Sequence, residues 1–474
     1  MIIIIPVEIN KRELIEKIFL STAIIKKLNA KIYLIKKHFF FKKIKDCRNL
    51  IFFDKGISFT KKKIYDKLGK KNHLITFDVE SPIINWDRLT FDARLPSKIL
   101  KNTKIYFTQN DFDKSLIVNK FKGLNDVITS GNPKYELSKK KNSRIIFKEE
   151  INKICEEFGK NYIFFSSSYS IDLHGGDKLW RYYTKKVYRQ KSTSFEKLSD
   201  FEKYEKNDFK NYLSLINLAI TIAKKFPKKK VIFRPHPSQD INLVRKRFPQ
   251  NIKNLHLVYK YHAIPWIFNC EWFFHTHCST FIDAHLMKKR VINFYQSKET
   301  RHKKFFNYFS TKYSYNNEKD VIKLLKSNYY LKSNNKKNEF KKYSKNFNEN
   351  SHQIISKQIH KRFKNMDTRL VFNNLKQPED NNIIKIFKKF LINIKLFSQK
   401  FGIIYIIDYI FDLKPNMFLN HFIIENKGGN LSSNEINFYL NKTNKIYNSK
   451  VRAKYLDKNI FLLFDKKNVK KNNR

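Results

Sequence analysis

Short apolar runs alternate with segments of helical periodicity through most of this chain. The run "MIIIIPVEI" comes first, and in the segment after it Leu14, Ile18 and Ile25 recur at helical spacing. Further runs follow at "KIYLIK", "NLIFFDKG", "HLITFDVES", "KIYFTQN" and "DVITSGNP". Each run is apolar on both faces, which is typical of a strand in a parallel sheet with helices on both sides. Residues 1–135 therefore predict one Rossmann-like domain.

A second series of alternations follows the stretch "SGNPKYEL" and a Lys-rich bridge. Its predicted strands include "NYIFFSSS", "KVIFRPHP", "EWFFHTHCST" and "RVINFYQ", and its predicted helices include "DFKNYLSLINLAITIAKKF" and "FIDAHLMKK". We predict a second Rossmann-like domain at 136–365, which ends on a return helix near "ENSHQIISKQIHKRF". The fold class is α/β, and two such domains in tandem have the architecture of the GT-B class of glycosyltransferases.

The sequence changes character over residues 366–474. The segment "IIKIFKKFLINIKLFSQKFGIIYIIDYIF" is amphipathic, with Lys on one side and Ile, Phe and Leu on the other, and the chain ends in "KKNVKKNNR". We predict a basic, mainly helical extension. An accessory module packed on the enzyme is the favoured interpretation, and a helix that lies on a membrane surface is the alternative. The longest apolar run, 401–411, is interrupted by Asp408 and is too short to span a bilayer.

The chain is strongly basic, with 97 Lys and Arg against 42 Asp and Glu and a net charge of +55. Such a charge usually indicates a nucleic-acid or anionic membrane partner. However, Lys, Asn, Ile, Phe and Tyr are all abundant, and these are the residues that AT-rich codons favour. We attribute much of the charge to this bias. A basic face on anionic lipid stays open as a second explanation, and no nucleic-acid partner is expected.

Cysteine usage and the start of the chain indicate the compartment. Cys47, Cys155, Cys270 and Cys278 show neither CxxC pairing nor a zinc-like cluster, so we predict no disulfide framework and no structural metal. The first apolar run is too short for a signal peptide and has no basic residues before it. We expect a cytoplasmic protein, which is at most peripheral at the inner face of the plasma membrane.

The stretch "VIFRPHPSQD" places a histidine between two prolines at the carboxyl end of a predicted strand. Open α/β sheets present ligand-binding groups at this end of their strands. Pro235 favours an extended conformation at Arg234. Pro237 similarly restricts His236, so the imidazole is held in place before a ligand arrives. A packed structural corner explains the same pattern, so the motif alone leaves its function open.

A second polar turn follows the predicted strand in "EWFFHTHCSTFIDAHLMKK". His277 lies on this turn, and Ser279 and Thr280 stand at the start of a helix, where they can cap the helix or donate to a phosphate. Because the carboxyl ends of parallel strands meet at one edge of a sheet, this turn and the turn at His236 should open onto the same edge. We predict a nucleotide phosphate site there, to which Arg234 and His277 also belong.

These two motifs resemble those of the surface carbohydrate biosynthesis family and, more distantly, those of bacterial polysialyltransferases and capsule Kdo transferases. In those relatives an HP histidine and a Ser/Thr turn bind the phosphate and nucleotide of a CMP-activated sugar. The resemblance covers roughly residues 1–365. It implies the HP role for His236 and Pro237 and the Ser/Thr role for Ser279 and Thr280. The stretch "SGNPKYEL" resembles the family's GNPR-type turn between domains, with Lys134 in place of Arg.

The stretch "LITFDVESP" resembles the acidic motif in which a carboxylate of this family acts as general base. Asp78 and Glu80 match its acids, whereas Val79 stands where an acid is expected and Ser81 where a Gly is expected. The resemblance implies that Glu80 is the base and that Asp78 orients it. An exposed, solvated strand end is the alternative interpretation of these residues.

The leading hypothesis is an inverting, metal-independent glycosyltransferase of surface polysaccharide or glycolipid biosynthesis. Its expected partners are a nucleotide-sugar donor, with a CMP-sugar favoured, and a glycan or lipid-linked acceptor, and no cofactor is expected. Two alternatives stay open. A CDP-glycerol-type polyol-phosphate transferase uses an HP turn and a Ser-rich turn followed by an acidic helix, here at Asp283. A non-catalytic, basic RNA- or lipid-binding protein on a transferase fold is the other.

Overall fold

The computed structural model describes two α/β units, each built on a largely parallel sheet, and a C-terminal part that packs on the first unit. The described residues are 1–8, 10–36, 43–57, 62–78, 95, 99, 102–121, 126–167, 197–236, 239, 241–276, 278–296, 314–327, 350–372, 430–457 and 459–465. All statements about structure below concern these residues.

The strands and helices follow the alternation that the sequence predicts. The strands are β1 (Ile2–Val7), β2 (Lys31–Lys36), β3 (Ile44–Arg48), β4 (Ile51–Asp54), β5 (His73–Phe77), β6 (Thr103–Thr108), β7 (Val127–Thr129), β8 (Tyr162–Ser166), β9 (Val231–Arg234), β10 (Leu255–Leu257), β11 (Cys270–His275), β12 (Arg290–Phe294), β13 (Ser314–Tyr315), β14 (Arg369–Phe372), β15 (Val451–Asp457) and β16 (Ile460–Asp465). The helices are α1 (Asn10–Leu28), α2 (Lys62–Leu68), α3 (Asp111–Lys120), α4 (Lys140–Ile146), α5 (Lys148–Phe158), α6 (Leu198–Lys225), α7 (Ile241–Arg245), α8 (Ala263–Asn269), α9 (Phe281–Leu286), α10 (Glu318–Ser327), α11 (Ser351–Phe363) and α12 (Ser433–Tyr447).

The first sheet has eight strands in the order β15-β16-β2-β1-β4-β5-β6-β7. The six strands from β2 to β7 in this order are parallel to one another. Strand β4 is buried along its whole length, as its apolar sequence requires. Helix α1 packs on one face through Ile18 and Ile24, which are fully buried.

The second sheet has six strands in the order β10-β9-β8-β11-β12-β13, and every neighbouring pair is parallel. Strands β8 and β9 are buried along their whole length. The long helix α6 covers one face through residues such as Leu215 and Ile222. Two parallel α/β units in tandem confirm the predicted fold class.

The return helix α11 crosses back from the second unit to the first. Its residues Ile355, Ile359 and Phe363 join the core of the first sheet beside α1. This is the role that the sequence predicts for the segment "ENSHQIISKQIHKRF".

The described part of the C-terminal extension differs from the helical extension that the sequence predicts. Residues 433–447 do form a helix, α12, which packs on α1. However, β14 pairs with β3, and β15 and β16 form an antiparallel hairpin that adds to the first sheet next to β2. The apolar run in β16 covers an edge of the sheet that β2 would otherwise expose. The amphipathic segment 383–411 lies outside the described residues.

A search of the described residues for a helix that could cross a membrane found none that is long and apolar enough.

Candidate active site

The carboxyl edge of the second sheet brings together the two polar turns of the sequence analysis. Ser166 at the end of β8 pairs with Arg234 of β9 on one side and with His275 of β11 on the other. The turns after β9 and β11 therefore flank the end of the central strand β8. They open onto the same edge of the sheet, as the sequence predicts.

The backbone of His236 is anchored by two polar side chains. Its N–H donates to Ser167 Oγ at 3.0 Å and to Gln239 Oε1 at 2.6 Å, and Ser167 Oγ donates to the same Gln239 oxygen at 2.8 Å. His236 is half-buried, whereas Ser167 and Gln239 are buried. This network adds to the restraint from Pro235. Pro237 lies outside the described residues.

Arg234 places a buried positive charge at this edge. Its side chain is buried and its Nη2 donates to the carbonyl oxygen of Tyr261 at 3.1 Å. Within the described chain, no carboxylate lies within 4.0 Å of this guanidinium, and its Nε has no hydrogen-bond partner. Burial lowers the pKa of Arg234 to about 10, so the group remains protonated at neutral pH. A buried cation without a counter-ion is costly, so the arrangement suits an anionic ligand.

The turn after β11 is held by a cysteine. Cys278 Sγ lies 3.5 Å from Ser166 Oγ and 3.1 Å from Thr280 Oγ1, so the thiol links the end of β8 to this turn. The Cys278 N–H donates to Nδ1 of the buried His275 at 3.3 Å. Ser279 is exposed, and His277 lies outside the described residues.

The helix that follows this turn is shorter than the sequence analysis supposes. Helix α9 has six residues, and Thr280 precedes it without a side-chain capping bond. So few residues align few peptide dipoles, and the helix N-terminus contributes little positive potential. Among the described residues of the two polar turns and the strands that precede them, Arg234 carries a positive charge instead.

The pKa of His262 reflects the positive potential around Arg234. It caps α8 by accepting the Ile264 N–H at Nδ1, at 3.3 Å, and its ring stacks on Phe147. Burial, and then the charges of Arg234 and Lys134, lower the pKa of His262 to about 3. His262 is therefore neutral at physiological pH, and two cations lie within electrostatic reach of it.

The "SGNPKYEL" stretch contacts helix α9, which follows the Ser/Thr turn. Its residues 133–136 form a short 3₁₀ helix, in which the Lys134 N–H donates to Asn132 Oδ1 at 3.0 Å. Lys134 Nζ lies 3.5 Å from Asp283 Oδ2, and Ser138 Oγ donates to Asp283 Oδ1 at 2.5 Å. Asp283 is in the first turn of α9, so the stretch between the two units is tied to the Ser/Thr turn.

An acidic cluster lies at the carboxyl edge of the first sheet. Asp78 directly follows β5 and is 2% exposed, so it is not the solvated strand end of the alternative interpretation. Asp54 ends the neighbouring strand β4 and accepts from the Tyr65 hydroxyl at 2.9 Å. Burial, and then the negative charge of Asp54, raise the pKa of Tyr65 well above its usual value. Glu80 lies outside the described residues.

Asp54 is not among the predicted site residues, although the sequence contains a signal for it. The run "NLIFFDKG" has an acid after its apolar residues as "HLITFDVES" does, and in the paired strands Asp54 lies opposite Thr76, two residues before Asp78. Ser167 and Gln239 were also missed. They meet only because β8 and β9 pair, and nothing in either local pattern predicts that contact.

A lysine neutralises the carboxylates at the start of α1. Lys55 Nζ lies 2.9 Å from Glu8 Oε2 and also pairs with Glu13. Glu13 in turn accepts the Glu8 N–H at 3.0 Å, which closes the turn between β1 and α1. In the part of the chain that the structure describes, no group of three or more His, Cys, Asp or Glu side chains is placed to hold a metal ion.

Comparisons with known proteins give similar solved structures at low identity. No protein-family model matches the chain, and no curated protein matches it. The UDP-GlcNAc 2-epimerase from Neisseria meningitidis bound to UDP-GlcNAc aligns with 76% of this chain and 100% of its own, at 13% identity and a TM-score of 0.45. The UDP-GlcNAc 2-epimerase from Methanocaldococcus jannaschii in complex with UDP-GlcNAc and UDP aligns with 76% of this chain and 100% of its own, at 12% identity and a TM-score of 0.46. A variant of the wall teichoic acid polymerase TagF aligns with 77% of this chain and 89% of its own, at 10% identity and a TM-score of 0.47. At these values the likeness assigns no activity to this chain.

Proposed function

We propose that this chain is a glycosyltransferase of surface polysaccharide or glycolipid biosynthesis, which transfers a sugar from a CMP-activated donor to a glycan or lipid-linked acceptor. The observation that supports the donor half best is the buried guanidinium of Arg234. It lies at the carboxyl edge of a parallel sheet, beside His236 and the Ser279/Thr280 turn, and no carboxylate of the described chain neutralises it. A nucleotide phosphate supplies the missing negative charge.

Among the described residues at this edge, the cations favour one phosphate over two. Arg234 is available for a ligand, whereas Lys134 already faces the carboxylate of Asp283 at 3.5 Å. A CMP-sugar has a single phosphodiester with one negative charge, which one guanidinium balances. A nucleoside diphosphate sugar has a second charge, and its binding would require a second cation or a metal ion. The resemblance of the HP and Ser/Thr motifs points to the same donor.

The proposed reaction is a single displacement that inverts the anomeric carbon and needs no metal. The acceptor hydroxyl forms a new C–O bond as the bond between the anomeric carbon and the phosphate oxygen breaks. CMP leaves with the electron pair, and the acceptor proton passes to a carboxylate. Arg234 and His236 stabilise the charge that develops on the phosphate. This electrostatic stabilisation is the main contribution of the second unit.

The carboxylate base is assigned to the first unit. We assign Glu80 as the base, because it matches the last acid of the family motif, and Asp78 as the residue that orients it. The burial of Asp78 supports an orienting role, since a side chain with 2% exposure has little access to an acceptor. Asp54 ends the adjacent strand and adds a second buried acid beside Asp78.

No observation favours the polyol-phosphate alternative. That interpretation depends on Asp283 as the acid of the helix after the Ser/Thr turn. Both of its carboxylate oxygens are engaged at the junction, one by Ser138 and one by Lys134.

The proposed donor is tested by calorimetric titration of the protein with CMP, CDP, UDP and cytidine in the presence of EDTA. We expect CMP to bind most tightly. Arg234→Gln should weaken CMP binding by about tenfold to a hundredfold, as expected for a hydrogen bond to a charged group, and should leave cytidine binding unchanged. Arg290→Gln is the matched control, because Arg290 lies at the opposite edge of the same sheet and pairs with Glu271. A preference for UDP, a requirement for divalent metal, or equal CMP affinity of Arg234→Gln would contradict the proposal.

A further inference from the structure

Lysines are segregated to one edge of the second sheet, the edge opposite the candidate donor site. In the three residues before each of β8, β9, β10, β11 and β12 the chain has seven lysines. In the three residues after the same strands it has one, Lys260. Codon bias acts on both edges alike, so it does not explain this difference. The segregation is a property of the folded sheet.

The strand register gathers these lysines into one surface. Strands β8, β9 and β10 start in register, because Ile163 and Leu255 both pair with Val231. The turns before these three strands therefore lie side by side, and the turn before β12 lies at the same edge on the far side of β11. We use the name amino-edge surface for their six exposed lysines, which are Lys160, Lys228, Lys229, Lys230, Lys253 and Lys288.

Little of this charge is neutralised within the described chain. Lys229 Nζ lies 2.9 Å from a carboxylate oxygen of Glu271, and the other oxygen of Glu271 pairs with Arg290 at 3.0 Å. Among the residues that the structure describes, no carboxylate lies within 4.0 Å of the other five lysines of this surface. These five are Lys160, Lys228, Lys230, Lys253 and Lys288, of which Lys230 donates to the backbone carbonyl oxygen of Glu157 at 2.9 Å.

We propose that the amino-edge surface is a docking surface for an anionic lipid bilayer. The exposed cations of this surface are lysines, whose compact and strongly hydrated charge suits diffuse attraction to a charged plane, whereas the arginine at this edge, Arg290, pairs with Glu271. The large exposed apolar side chains of the described chain all lie elsewhere, so this edge offers no aromatic platform for the bases of a nucleic acid. Binding is therefore electrostatic and involves no insertion into the bilayer.

Docking at this edge leaves the candidate donor site open. The two edges are separated by the length of β8, which has five residues and so spans about 16 Å at about 3.3 Å per residue. With the amino edge on lipid, the carboxyl edge faces away from the bilayer. The docking proposal does not depend on the donor, and vesicle binding can fail or succeed independently of CMP binding.

The test is co-sedimentation of the full chain with vesicles of phosphatidylcholine alone or with about 30% phosphatidylserine. We expect binding only to the anionic vesicles, and release when the salt concentration rises from about 0.1 M to about 0.5 M. Replacing Lys228, Lys229 and Lys230 together by Gln should weaken binding at least tenfold, because each lysine near the surface contributes substantially to the attraction. This triple variant, and the control variant described next, are first checked for an unchanged melting temperature.

The matched control replaces three exposed lysines of the first unit, Lys70, Lys71 and Lys104, by Gln. The same charge is removed, so equal loss of binding in both variants would show general attraction and would overturn the proposal. Lysine acetylation with and without anionic vesicles gives an independent map, in which the amino-edge surface should be protected and the control lysines should react. Absence of vesicle binding, or binding to RNA or an acidic polysaccharide at a salt concentration that abolishes vesicle binding, would also overturn it.

Discussion

Ser138 Oγ donates a hydrogen bond of 2.5 Å to Asp283 Oδ1, although the two residues lie 145 positions apart in the chain. Ser138 follows the turn between the two units, and Asp283 lies in the first turn of α9, directly after the Ser/Thr turn. Both residues are buried, at 0% and 1% exposure. A buried carboxylate is costly unless it is hydrogen-bonded, so this contact fixes the Ser/Thr turn relative to the junction of the two units.

Asp283→Asn tests whether the number of free cations selects the donor. The amide oxygen can still accept from Ser138, but the negative charge facing Lys134 is lost. Lys134 then becomes available to a second phosphate. We expect the affinity for CDP to rise at least threefold relative to CMP, measured by calorimetric titration in EDTA. The charge argument is wrong if the ratio of the two affinities stays the same in a variant that remains folded.

His236→Ala should abolish transfer and leave the fold intact. The hydrogen bonds that anchor this turn use the His236 backbone N–H, which alanine retains. We expect a melting temperature within a few degrees of the wild type and a large loss of donor affinity or turnover. Wild-type affinity and turnover in this variant would remove His236 from the site.

Ser167→Ala provides the complementary case. Ser167 Oγ accepts from the His236 N–H and donates to Gln239, so its loss leaves both groups with one partner fewer in a buried setting. We expect about 1–3 kcal/mol of destabilisation by chemical denaturation and a smaller loss of turnover than in His236→Ala. Ser115→Ala, which removes an exposed hydroxyl from α3, is the control and should be close to neutral. Equal stability of Ser167→Ala and this control would argue against the anchoring role.

The alternation of apolar runs and helical segments was sufficient to predict both sheets, because buried parallel strands are apolar on both faces. Local patterns also placed the two polar turns at strand ends. What they could not predict are contacts made by tertiary pairing, such as Gln239 with Ser167 or Ser138 with Asp283. Nor could they predict that β16, an apolar run near the C-terminus, adds to the sheet that begins at the N-terminus, since strand order is not encoded in the periodicity of one segment.

Glu80→Gln should separate the proposed base from the donor site. A carboxylate that accepts the acceptor proton contributes about 10²–10⁴-fold to the rate, so turnover should fall at least a hundredfold while CMP affinity stays near that of the wild type. Asp78→Asn should reduce turnover less, because Asp78 is assigned an orienting role and not that of the base. Turnover is measured with a CMP-sugar and an acceptor glycan. Undiminished transfer by Glu80→Gln, or a larger loss in Asp78→Asn, would show that the base is assigned to the wrong residue.

Gly56→Ala should destabilise the acidic cluster of the first unit. Gly56 has a φ of +127°, which L side chains rarely adopt, and a Cβ added there would lie 3.4 Å from Asp78 Oδ2. Gly69→Ala is the matched control, because its φ of +62° is also positive but nothing lies within 4 Å of the added Cβ. We expect Gly69→Ala to cost about 1–2 kcal/mol, because a φ of +62° lies in the left-handed region, and Gly56→Ala to cost more, because a φ of +127° lies outside it; both are measured by denaturant unfolding. Equal costs would mean that neither the φ of +127° nor the contact with Asp78 adds to the strain of an alanine at position 56.

Stability should fall as the pH is lowered from about 6.5, partly because of His352. Its ring packs against Phe19 and Tyr447, and its Nδ1 lies 4.0 Å from Glu136 Oε2. Burial lowers the pKa of His352 from 6.5 to about 4, with a smaller opposing effect from Glu136 and a further lowering by Lys139. The unfolded chain therefore binds a proton at a higher pH than the folded chain does. The stability that depends on neutral His352 is fully present above the unfolded pKa and decreases as the pH falls toward the folded value.

Between pH 7 and pH 5 this histidine should account for about 2 kcal/mol of lost stability, since each pKa unit corresponds to about 1.4 kcal/mol. His352→Gln has no proton to gain in this range. Its unfolding free energy, measured by urea denaturation at both pH values, should therefore fall by about 2 kcal/mol less than that of the wild type. His360→Gln, on the same helix α11, controls for the replacement of a histidine by glutamine as such. If His352→Gln loses as much stability as the wild type over this range, the acid sensitivity arises from other groups and the neutral, buried state of His352 does not contribute to it.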